Sequence, residues 1–133
     1  MQPLFIDTPF IARLLSNAQK NPRLREAFDL RTTPDDQSQR MLNALLPGTE
    51  LPIHRHRNTS ETAIILYGRM DEVFYDDNGC ETARFHLDPA TGNVAVSIPA
   101  GTWHTVVVHE PTVIFEAKDG PFVPRSDEDI LKV

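Results

Sequence analysis

Apolar positions along the chain change period once. Between Thr8 and Lys20, Phe10, Ile11, Leu14 and Leu15 recur at three- and four-residue spacing, the single apolar stripe of an amphipathic helix. Thr8 can cap that helix, Pro9 suits its first position because no amide donor is needed there, and Asn21-Pro22 ends it. Arg23 to Phe28 reads as a second short helical turn. From Gln39 onward the period shortens to that of strands: Arg40–Leu46, Leu51–Arg57, Thr62–Tyr67, Asp71–Tyr75, Thr82–Leu87, Asn93–Ile98, Thr105–His109 and Val113–Lys118. Turn residues separate these runs, among them Pro47-Gly48, Gly68, Asp77-Asn78-Gly79, Gly92, Pro99-Ala100-Gly101, Glu110-Pro111 and Asp119-Gly120-Pro121. Short strands at this spacing predict an all-β sandwich or barrel, with the helix packed outside. The expected division is a helical extension over 1–30, one barrel over 31–122 and a polar surface tail over 123–133.

Composition narrows the function classes. A chain of 133 residues suits one core, and 13 basic against 19 acidic residues give a net charge of −6. That charge repels phosphate backbones, so no nucleic-acid partner is expected. No apolar run approaches the length of a membrane span, and the opening MQPLFIDTPF has neither a basic nor a long apolar region. Cys80 is the lone cysteine, which fits a reducing compartment. A cytoplasmic location and no membrane partner are the expectations.

Candidate chemistry gathers between Pro47 and Gly68. His54 and His56 are two apart on a predicted strand and so share a face, while Arg55 turns away. A polar turn reverses the chain before Glu61, which can return to the histidine side. His104 follows the Pro99-Ala100-Gly101 turn at the mouth of an apolar strand. Three imidazoles and a carboxylate suit one divalent transition metal, iron, zinc, manganese or nickel, with positions left for water or substrate.

These residues carry a resemblance. Gly48, His54, His56, Glu61 and Gly68 match the first cupin motif, G-x5-H-x-H-x4-E-x6-G, at every fixed position. Gly92, Pro99, Gly101 and His104 resemble the second motif, with one extra residue after Gly92 and Val108 where asparagine is usual. Further segments, Asn21-Pro22-Arg23, Gln39 to Leu45, Trp103-His104-Thr105 and Glu116 to Phe122, are similar to the WbuC family of small cupin metalloproteins. The resemblance implies a double-stranded β-helix, or jelly-roll, barrel and the metal set His54, His56, Glu61 and His104. It also implies a small oxygen-rich ligand (a carbohydrate, nucleotide sugar or keto acid) and a place in polysaccharide or O-antigen biosynthesis. Cupins include isomerases, epimerases, dioxygenases and plain binding proteins, so turnover stays open. A metal-free epimerase using a His-Tyr pair is disfavoured by the intact ligand set.

Other residues are weighed against plainer roles. Lys118, Glu116 and Arg40 are the catalytic candidates, at the pocket mouth or simply as strand charges. His86, His109 and Cys80 read as bystanders, Tyr67 and Tyr75 as packing aromatics, and Trp103 as a shield at the edge of the site. Open sheet edges and an apolar outer face make a homodimer the expected assembly.

Overall fold

The structure is a computed structural model and describes residues 2–132, so the outermost residue of each expected terminal segment lies outside it. Helix α1 spans Thr8–Lys20, as the stripe predicts. Its cap is Asp7 and not Thr8: the Asp7 carboxylate accepts from the Phe10 amide at 3.0 Å, with Pro9 in the first turn. Residues 23–28 do not form a helical turn. Leu24 takes a left-handed φ of 58°, which breaks the helix, and strand β1, Arg25–Asp29, then pairs antiparallel with β2, Gln39–Leu45. So short a segment cannot nucleate a helix alone, and the open edge of β2 satisfies its backbone instead.

Four more strands complete the molecule: β3 (Glu61–Tyr75), β4 (Glu81–Leu87), β5 (Ala95–Ile98) and β6 (Trp103–Lys118). All pairings are antiparallel, in the order β1-β2-β6-β3-β4, with β5 on the free flank of β3. Strands β3 and β6 are long because each joins two of the predicted runs. Gly68 and Glu110-Pro111 bend these strands without ending them, at register shifts between Ile65 and Met70. Gly68 has φ 94°, and a Cβ there would lie 2.2 Å from the Pro111 carbonyl oxygen. The two long strands cross at that point because glycine lets their backbones touch.

Alternation along β2 divides the core. Leu42, Ala44 and the following Leu46 face Leu14 and Ala18 of α1, which seals the outer face of the sheet. Leu45 points the other way, into the barrel with Ile65, Met70, Leu87 and Ile114. The mostly β, antiparallel architecture with one external α-helix is the jelly-roll that the resemblance implies.

Candidate metal centre

The segment expected to be a strand over 51–57 is not one, yet it is held more tightly than a free loop. His54 and His104 exchange backbone hydrogen bonds of 3.0 and 2.9 Å, and the Gly101 amide donates to the His56 carbonyl at 2.8 Å. On the far side, Arg55 N donates to Asp129 O and Leu131 N to Ile53 O. The segment is therefore a short bridge between the start of β6 and the C-terminal residues. The tail is exposed over 121–128, and from Asp129 onward it docks against this segment: Arg55 and Arg57 each meet Asp129 at 3.1 Å, and Arg55 also stacks over Trp103 at 4.3 Å.

These backbone bonds bring the rings together. The ring nitrogens of His54, His56 and His104 lie within 4.8 Å of one another. His54 and His104 are anchored through Nδ1, which in each case lies 2.9 Å from a carbonyl oxygen two residues earlier, of Pro52 and Thr102. Donation there fixes the tautomer that leaves a lone pair on Nε2, the usual orientation of a metal-ligating histidine. Glu61 arrives on the first residue of β3. Its Oε2 lies 3.3 Å from His56 Nε2 and 3.4 Å from His104 Nε2, is buried, and makes no well-formed hydrogen bond. Donors bound about 2.1 Å from one ion stand roughly 3.0–3.4 Å apart. The orphaned oxygen, the two turned imidazoles and the spacing all fit a cation at this point.

Electrostatics agree. Burial, with His104 close by, lowers the pKa of His54 to about 3, so its ring is neutral and available as a ligand. Burial alone would raise the pKa of Glu61; the adjacent imidazoles of His104 and His56 and the charge of Lys118 outweigh it and hold the carboxylate ionised. Two deeper carboxyls go the other way. Glu72 is raised by burial and by the charges of Glu61 and Glu116, and its Oε2 has no partner. Glu116 is raised by the dense protein around it and by Glu61, although part of its surface stays accessible.

The remaining candidates separate. Lys118 lines a cavity of about 380 Å³ that opens beside His56, and Glu116 meets Glu61 and Asn43. Arg40 is not brought to the cavity. Register pairs Gln39 with Lys118, so Arg40 alternates to the other face, where it holds Asp36 at 2.7 Å. His86 and His109 stand apart from the three-histidine cluster and flank one buried carboxylate, Asp71, at 2.6 and 3.0 Å. Trp103 is buried and donates through Nε1 to Asp77, Cys80 is exposed, and Tyr67 lies half in solvent. Reasoning from sequence missed Gln39, Asn43, Glu72 and Arg125. Only the alternation of Gln39 and Met41 about Arg40 could have signalled the first.

Comparison with known proteins places this geometry. The family model described as a domain of unknown function, DUF6016, matches residues 6–87, more than half of the chain. The chain belongs to the DUF6016 family. The match covers the first motif complete and stops before β5 and His104. No curated protein sequence matches this DUF6016 member. Among solved structures, it resembles the capsular polysaccharide assembling protein CapF from Staphylococcus aureus, at 22% identity and a TM-score of 0.61, over 74% of this chain and 27% of that one. An oxalate decarboxylase from Lactobacillus farciminis is similar at 16% identity and TM-score 0.57, over 74% of this chain and 29% of that one. A cupin superfamily protein, DSY2733 from Desulfitobacterium hafniense, matches at 15% and TM-score 0.57, covering 74% and 78%. The DUF6016 chain thus spans less than a third of the first two relatives, and what it shares with all three is the cupin fold.

Proposed function

We propose that the protein is a cupin metalloprotein that holds one divalent transition metal through His54, His56, Glu61 and His104. The observation that carries this is the orphaned Glu61 Oε2 facing two imidazole nitrogens at 3.3 and 3.4 Å. When bound, such an ion supplies Lewis-acid polarisation of a ligand oxygen or, as iron, one-electron redox chemistry. The ligand is a small oxygen-rich metabolite, a carbohydrate, nucleotide sugar or keto acid, entering through the cavity beside His56.

The chain's own residues supply the rest. Glu116, its pKa raised to about 7 by burial and by the charge of Glu61, can hold a proton near neutral pH and donate it towards an incoming oxygen. Lys118 biases the mouth towards negative charge. The likeness to the WbuC family and to CapF supports a role in polysaccharide assembly; the lone Cys80 supports a cytoplasmic location, and the open sheet edges support a homodimer.

Elemental analysis of protein purified without a tag or chelator tests the reading. About one equivalent of iron, zinc, manganese or nickel is expected, His56→Ala should lose most of it while staying folded, and His86→Ala should keep it. Unchanged metal content in His56→Ala would refute the assignment. Iron would direct the next assay to substrate-dependent oxygen uptake, as for a dioxygenase.

A further inference from the structure

The cavity beside His56 is bounded by four cationic side chains, and their partners divide them into two kinds. Arg55 and Arg57 are consumed by Asp129, with Glu128 a second partner for Arg57. Lys118 and Arg125 form no ion pair or side-chain hydrogen bond among the described residues. Both lie close enough to Glu61 to act on its charge, Lys118 from β6 and Arg125 from the C-terminal segment. In a chain with net charge −6, two unpaired cations lining one cavity are conspicuous. A guanidinium and an ammonium so arranged match a carboxylate or phosphate, the first by paired donors and the second as a point charge.

The wall that carries Arg125 is built to stay in place. Gln39 Nε2 donates to the carbonyls of Gly120 and Pro121 at 3.3 and 3.1 Å, and Asp119 accepts from the Ser60 amide at 2.6 Å. Beyond Arg125, Asp129 and Leu131 bond to the segment that bears the histidines. Both ends of the stretch 121–128 are therefore tied to the barrel mouth, with Arg125 between them.

We propose that Lys118 and Arg125 form an anion clamp that binds the charged end of a small ligand, a carboxylate or phosphate, while the ligand's oxygen-bearing end points to His56. This deepens the function proposed above and rests on it for the position of the second end. The cavity volume accommodates a molecule of a few carbons. Specificity then resides partly in the C-terminal segment, outside both histidine motifs.

Calorimetric titration with three matched probes tests the clamp: glycerol, glycerate and glycerol 3-phosphate, which differ at one end only. Each is titrated into metal-free and zinc-loaded full-length protein. The expected result is binding of one or both anions and none of glycerol, weakening as salt is raised. The tighter anion identifies the carboxylate or the phosphate as the group recognised. Arg125→Met and Lys118→Met should each lower anion affinity by about tenfold or more, with Arg125→Lys and Lys118→Arg retaining most of it. Arg125 is exposed on the C-terminal segment, so its variant tests the clamp even if Lys118→Met unfolds. Glycerol binding as tightly as the anions, undiminished anion binding by Arg125→Met, or no binding of either anion at millimolar concentration would overturn the clamp. Anion binding by a protein that takes up no zinc would instead overturn the metal reading and leave the clamp standing.

Discussion

Single residues decide where this barrel can bend and where it can hold charge. Gly68 is the clearest case, because its φ of 94° and the 2.2 Å approach of the Pro111 oxygen leave no room for a side chain. Gly68→Ala is expected to cost about 3 kcal/mol or more, through left-handed strain and displacement of a backbone. Gly92→Ala makes the control: φ is 82° but nothing lies within 4 Å, so a loss of about 1 kcal/mol is expected. Urea melts of both variants check the difference, and equal losses would mean that the crossing of β3 and β6 is not sterically determined. The glycine was legible in the sequence as a motif position, but not its reason. A glycine between two apolar runs looks like a turn, and only the partner strand reveals a crossing point.

Among elements, those with strong local signals were the ones readable in advance. Helix α1 was legible from Phe10 to Leu15 because one face of a 3.6-residue period has a single explanation. Its cap was displaced by one residue, since Asp7 and Thr8 are both competent and only geometry chooses. Asp7→Ala should cost about 1 kcal/mol and Thr8→Ala much less, as read from thermal melts. That His54, His56 and His104 come together was legible from the two histidine-bearing motifs, although the segment carrying His54 and His56 is not the strand their spacing predicts. Strand β1 and the docked tail were not legible, because both are held by long-range pairing that leaves no local pattern: Arg25–Asp29 is bound to β2, and residues 129–131 to 53–55. Docking of α1 is the testable energetic counterpart. Leu14 is 4% exposed and meets Leu42, Ala44 and Leu46, so Leu14→Ala should remove about 2–4 kcal/mol without changing metal content.

At the scale of the whole molecule, the site is stabilised at the expense of the fold and the balance depends on pH. His54 has a folded pKa of about 3 against about 6.5 in the unfolded chain. The unfolded chain therefore binds a proton that the folded one refuses, and stability falls as pH drops from about 6.5 towards 3, by up to ~1.4 kcal/mol per pH unit from this group. Glu72 acts in the opposite sense. Its folded pKa is raised, so its contribution is present at low pH and lost as pH rises through the folded value. Metal-free protein should accordingly be most stable between these two losses. Replacing Glu72 by Gln should flatten the alkaline side, because the neutral amide never acquires the charge that burial opposes. Adding metal should stabilise most at neutral to alkaline pH, where the imidazoles are deprotonated, and hardly at all near pH 4, where protons compete for the same lone pairs. Urea midpoints at several pH values, with and without zinc, measure all three effects. A zinc increment as large at pH 4 as at pH 8 would place the ion on groups other than these histidines.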